Sequence, residues 1–217
     1  MNIMNKAFFP GGEYKLKDCV DARLRAEICR IFEAEYDGNY TWYGRWQGDM
    51  RPVMKIFLLK GCSGILEWGW NYSFLAEYYS GRMQYFRIEK NPKPQLRTFP
   101  SGFVDITEWR QNLFPCYSSD RALLFKAIDK AWKKTRPEIQ EWYRRVNSYE
   151  SMIEELDRQI EYEKYYVTMW PEQNYIKAFL LARTGRRREA QEALGRSRLW
   201  READERLKEK IIRYLPG

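Results

Sequence analysis

Apolar residues recur at helical spacing early in the chain. Val20, Leu24, Ile28, Ile31 and Phe32 share one stripe, which predicts an amphipathic helix over Asp18 to Ala34, capped by Asp18 and stopped at Asp37-Gly38. The pattern then shortens. Tyr40 to Trp46, Val53 to Leu59 and Gly64 to Trp70 are β-branched or aromatic segments of strand length, separated by Gly, Asp and Pro. Phe74 to Tyr79 and Met83 to Ile88 flank Ser80-Gly81, which suits a tight hairpin turn because glycine accepts positive φ. An antiparallel meander of four or five strands between about residues 39 and 90 follows. Asn91-Pro92-Lys93-Pro94 ends it, since two prolines cannot continue a ladder. Residues 95 to 118 read as irregular, punctuated by Pro100, Gly102 and Pro115.

After Ser119 the period returns to that of a helix. Leu124, Ile128 and Ala131 form one stripe behind Ser119 or Asp120. Pro137 is placed as a first-turn residue ahead of Ile139, Trp142, Tyr143 and Val146. Tyr149, Met152, Ile153, Leu156 and Ile160 continue the period past a break or bend at Asn147-Ser148, and Trp170-Pro171 ends that stretch. A last helix is expected from Arg198 to Tyr214, with Trp200, Ala203, Leu207, Ile211 and Tyr214 on one face. The fold class is therefore α+β: an N-terminal helix, a four- to five-stranded antiparallel meander, and a helical C-terminal half. Residues 1–118 and 119–217 form the two regions. Without a Gly/Ser linker between them, one compact body is expected.

Composition narrows the chemistry. The 217 residues contain no histidine, so histidine general bases, Ser-His-Asp or Cys-His pairs and histidine-bearing zinc sites are excluded. Cys19, Cys29, Cys62 and Cys116 lack metal-ligand or redox spacing, so small buried thiols in a reducing cytoplasm are expected and no metal site. No phosphate-cradling glycine loop occurs, and no cofactor is called for. No apolar run is long enough to span a membrane, which gives a soluble cytoplasmic reading.

Aromatics make up 17% of the chain, and 13 of the 36 rings lie between Tyr40 and Phe86. Trp42, Tyr43, Trp46, Tyr78, Tyr79, Tyr85 and Arg87 are the candidate binding residues, because Tyr and Trp give large contact area at low entropic cost and Arg joins them at interface hot spots. The net charge of +8 is uneven: residues 183–217 hold eleven basic and six acidic side chains. Arg183, Arg186, Arg187 and Arg188 cluster around Gly185 and, with the basic hairpin, form an alternative nucleic-acid surface. Neighbouring Glu189, Glu192, Glu202, Asp204, Glu205 and Glu209 would offset much of that charge. Glu67, between Trp68 and large apolar residues, is a weak catalytic candidate as a carboxylate of raised pKa, with Tyr72 or Lys60 as its helper. The competing reading packs Trp68 and Trp70 beneath helices while Glu67 points to solvent or pairs with Lys or Arg.

Two resemblances bear on function. Tyr175 to Leu194, with Ala178, Ala190 and Ala193 for close packing and Gly185 at the turn, resembles a single tetratricopeptide-type hairpin with no second copy at the 34-residue period. The phrases Tyr40-Thr41-Trp42-Tyr43-Gly44, Lys55 to Gly61, Trp68-Gly69-Trp70-Asn71-Tyr72, Arg87-Ile88-Glu89-Lys90 and Tyr175 to Gly185 resemble uncharacterised small bacterial cytoplasmic proteins, some of them immunity-like partners of toxin or defence genes. That resemblance implies a non-enzymatic interaction protein of bacterial or phage type that binds, and in some cases neutralises, a macromolecular partner. A protein partner is expected first and nucleic acid second, with a carboxylate enzyme at Glu67 as the remaining alternative.

Overall fold

A computed structural model describes residues 14–59, 63–86, 92–97, 104–105, 117–118, 121–161 and 171–216. Helix α1 spans Leu16–Phe32 and buries Val20, Leu24 and Ile28 of the predicted stripe, while Ile31 and Phe32 are half-buried. Asp18 lies inside this helix instead of capping it. The helix ends before Asp37-Gly38: Glu33 adopts φ +47° and the Ala34 N–H reaches back to the Cys29 carbonyl at 3.0 Å. This is a left-handed C-terminal cap made without glycine, so the sequence carries no glycine signal at the true stop. Asp37-Gly38 instead belongs to the turn between β2 (Glu35–Tyr36) and β3 (Thr41–Tyr43), which pair antiparallel.

Strand β3 pairs with β4 (Met50–Leu59), aligning Thr41 with Lys55 and Tyr43 with Val53. The sheet continues through β5 (Ser63–Tyr72) to β8 (Leu96–Arg97), and β9 (Val104–Asp105) also pairs with β5. The expected meander is thus recovered, but its last members come from residues 96–105, expected to be irregular. The predicted hairpin, β6 (Ala76–Tyr79) and β7 (Arg82–Tyr85), is a separate two-stranded sheet. A further short pair joins β1 (Tyr14–Lys15) to β10 (Tyr117–Ser118).

Helix α2 runs unbroken over Arg121–Arg145 with Pro137 inside it, not at its start. Proline removes one N–H from the ladder. Lys133, four residues earlier, is exposed like Pro137, so water can meet the carbonyl left without its donor. Helices α3 (Tyr149–Glu161), α4 (Gln173–Arg183) and α5 (Arg187–Arg196) follow the expected stripes and the break at Asn147-Ser148, while Trp170, expected to end the α3 stretch, lies outside the described residues. The expected last helix is two: α6 (Arg198–Glu202) and α7 (Glu205–Tyr214). Asp204 accounts for the split, because its side-chain oxygen accepts the Leu207 N–H at 2.7 Å and starts a second helix, as the Ser197 hydroxyl, accepting from Trp200 at 3.3 Å, starts the first.

The chain forms two compact units, and the division does not fall at one position such as residue 118. One contains residues 1–45, 53–68 and 98–141; the other contains 46–52, 69–97 and 142–217. In the first, Trp42, Ile56, Trp68, Ile128 and Trp132 join the α1 stripe in the core. In the second, Tyr72, Leu75, Met152, Leu156, Tyr175 and Phe179 are buried. There the Trp70 indole donates to the Val146 carbonyl at 2.7 Å, and the Tyr143 hydroxyl bonds the Gly69 backbone.

Candidate functional site

In the second unit the β6–β7 hairpin turns through Ser80 at φ +50° and Gly81 at φ +81°, the paired left-handed conformation that matches strand twist. Its register aligns Ala76 with Tyr85, Tyr78 with Met83, and Tyr79 with Arg82. Alternation then sorts the side chains. Ala76, Tyr78, Met83 and Tyr85 share an inner face on which Ala76 and Met83 are buried. Glu77, Tyr79, Arg82 and Gln84 share the outer face, where the Gln84 amide donates to the Glu77 carboxylate at 3.2 Å.

The two-residue turn makes Tyr79–Arg82 a bonded pair, so the backbone groups of Met83 point away from β6. Helix α7 meets them there: the Tyr214 hydroxyl donates to the Met83 carbonyl at 3.0 Å, and its ring packs edge-on to Tyr85 at 5.2 Å.

Among the described residues the exposed large hydrophobic side chains are Trp46, Tyr78, Tyr79, Tyr85 and Ile212, so three of five stand on this hairpin. Tyr79 is 63% exposed and Tyr85 55%, while Tyr78 is 37% exposed. Trp46, in the same unit, is 41% exposed with the Arg51 guanidinium 4.8 Å from its ring centroid. Tyr43 is half-buried on β3 in the other unit.

Trp42 requires a correction. It is fully buried, with its indole donating to the Arg25 carbonyl at 3.3 Å and its ring 5.0 Å from Tyr36. A residue packed in that way is core and not a contact. Arg87 and Lys60 lie outside the described residues.

The arginines around Gly185 are largely engaged. Arg183 pairs with Asp49 at 2.6 Å, Arg186 makes a two-pronged pair with Glu189, and Arg188 meets Glu192 at 3.2 Å. Arg187 is exposed and has no ion pair among the described residues. The offsetting acids therefore do at this turn what their positions implied. Gly185 itself sits at φ +79°, and the buried Ala178, Ala190 and Ala193 belong to the α4–α5 hairpin.

Glu67 is buried at 6% exposure in the first unit. Tyr72 belongs to the other unit, where burial pushes its phenol well above the ordinary value and its hydroxyl meets the Met152 sulfur at 3.2 Å. A phenol held so firmly protonated does not exchange protons near neutrality. Two grooves of about 160 Å³ each are described. One is lined by Asp157, Lys177, Glu189 and Arg196, the other by Ala182, Arg187, Ile212 and Leu215, and neither includes Glu67. No cluster of three or more Cys, Asp or Glu able to hold a metal ion occurs among the described residues. Sequence reasoning missed Tyr214 as a part of the hairpin surface; its only signal was the amphipathic period that placed it on the inward face of the last helix. The chain matches no protein-family model, no curated protein and no solved structure.

Proposed function

We propose that this protein works by binding a macromolecular partner, in the first instance another protein, through the outer face and tip of the β6–β7 hairpin. One observation carries this reading: Tyr79, at 63% the most exposed of the large hydrophobic side chains among the described residues, stands on that outer face. A solvent-facing tyrosine held on a two-stranded ribbon supplies rigid contact area at low entropic cost. The outer face also presents one acid, one base and one amide beside Tyr79, namely Glu77, Arg82 and Gln84. That balanced set suits the mixed surface of a protein better than a phosphate chain. The resemblance to immunity-like proteins fits the same reading, with a toxin or defence protein of the cytoplasm as the partner.

The test is affinity capture from the native host with wild-type protein and with Tyr79→Ala combined with Arg82→Ala, both checked for unchanged melting. The double variant is expected to lose the principal captured protein, and nuclease treatment is expected to leave wild-type capture intact. Equal capture by the variant, or capture abolished by nuclease, overturns the reading.

A further inference from the structure

The excess positive charge of the C-terminal helices is not spread evenly. Between residues 173 and 216 there are twelve cations and six acids. Seven of those cations have an acidic partner: Lys177, Arg183, Arg186, Arg188, Arg198, Lys208 and Arg213. Arg187, Arg196, Arg201, Arg206 and Lys210 make no ion pair among the described residues. Of these five, Arg206 and Lys210 stand together on α7. Arg213, three positions further on, extends the row, and its contact to Glu209 is long at 3.9 Å with both side chains well exposed.

Three cations at positions i, i+4 and i+7 form one helical stripe, rising about 6 Å and then about 10 Å from the first. The adjacent stripe is Leu207, Ile211 and Tyr214, of which Ile211 is buried. The Tyr214 bond to Met83 therefore sets the cationic row beside β7, with the Tyr214 and Tyr85 rings along its flank. Glu205 and Glu209 lie on the side of the row away from the rings, and Glu205 is occupied by Lys208 at 2.7 Å.

We propose that α7 and Tyr85 form a binding surface for a single strand of nucleic acid. Arg206, Lys210 and Arg213 hold successive backbone phosphates, and the exposed face of Tyr85 receives a base. Charge complementarity and a solvent-facing ring at the edge of a cationic row are the two requirements of sequence-tolerant single-strand binding. A duplex hides its base faces and gains nothing from the ring. This surface is distinct from the outer hairpin face, because Tyr85 and Tyr79 project from opposite sides of the ribbon.

The experiment is fluorescence anisotropy of the whole chain with labelled oligo(dT) and oligo(U) of roughly 12 nucleotides, a matched duplex, and inorganic polyphosphate as competitor. Both single strands are expected to bind at low salt, with a log–log salt slope of about −2 for three phosphates. Arg206→Gln with Lys210→Gln and Arg213→Gln brings that slope close to zero. Tyr85→Ala weakens binding about tenfold and leaves the slope unchanged. Tyr79→Ala leaves oligonucleotide binding intact, so this proposal and the protein-binding reading fail separately. All of these side chains except Lys210, which is half-buried, are exposed, and melting curves check that the variants fold. No binding at low ionic strength, an unchanged slope in the triple variant, or polyphosphate competing as well as oligonucleotide overturns the proposal. So does capture of an acidic protein, resistant to nuclease, through the same three cations.

Discussion

The guanidinium of Arg183 lies 2.6 Å from the carboxylate of Asp49, tying the last turn of α4 to the turn that precedes β4. The same carboxylate accepts the Tyr149 hydroxyl, and both Arg183 and Tyr149 pack on the Phe74 ring. Asp49→Ala removes the acceptor that three elements of the second unit share. Because Arg183 is half-exposed and regains water, the loss is limited to about 1–2 kcal/mol. The urea midpoint should fall accordingly, and an unchanged midpoint would show that the cluster contributes nothing to stability.

Glu155 is the buried counterpart of that cluster. Its carboxylate takes Arg145 and Arg158 at 2.9 Å each and lies 3.4 Å from the Trp142 indole nitrogen, joining the end of α2 to α3. Glu155→Ala should cost about 2 kcal/mol, because the indole loses its acceptor and two guanidiniums are left without an acid. Glu155→Gln should fall between wild type and alanine in thermal unfolding. If glutamine is the worse of the two, the charge is not what holds the helices.

Among the described residues three non-glycine positions carry positive φ, Glu33, Tyr40 and Ser80, and two of them face solvent. Ser80 at φ +50° and Glu33 at φ +47° are both exposed. Ser80→Asn and Glu33→Gly should each raise stability by roughly 0.5–1 kcal/mol, since asparagine and glycine adopt the left-handed region more readily. Gly81→Ala should lose roughly 1 kcal/mol from backbone strain alone, because nothing lies within 4 Å of an added methyl. A calorimetric series over the three variants checks the signs, and a destabilising Ser80→Asn would mean the turn is not of the type assigned.

Glu172 precedes α4, and its carboxylate accepts the backbone N–H groups of Arg198 and Leu199 and the Ser197 hydroxyl. Burial nevertheless pushes its pKa above the ordinary carboxyl value, the hydrogen bonds only partly opposing this. The folded state therefore holds this proton where the unfolded chain has released it. Its contribution to stability is fully present below the ordinary carboxyl range and is lost as pH rises through the elevated value. Glu172→Gln should remove that part of the pH dependence. Urea midpoints measured across the acidic range for both proteins should diverge there, and parallel curves would refute the assignment.

Local signals made the helices, the sheet and both tight turns legible. Ser80-Gly81 and Gly185 announced their backbone conformation, and the apolar stripe of α1 announced its buried face. The stop of α1 was not legible because Glu33 does the work usually given to glycine. Pro137 misled because exposure lets water replace the lost helix bond. Trp42 shows why an aromatic surplus is ambiguous: whether a ring is core depends on the helix that covers its strand, and its sequence neighbours do not report that. The engagement of Arg183 was equally hidden, since Asp49 is 134 positions away. Conversely, the exposure of Tyr79 and Tyr85 fits their place on a ribbon with only two strands.

The contact between Tyr214 and Met83 spans 131 positions of chain. During synthesis the hairpin can turn as soon as residues 76 to 85 emerge, because its own loop is only two residues long. Its inner edge, however, stays bare until nearly the whole of the second unit has been made. The hairpin is therefore completed only after α7 has emerged, and a nascent chain stalled before α7 would display Tyr85 without the helix that flanks it.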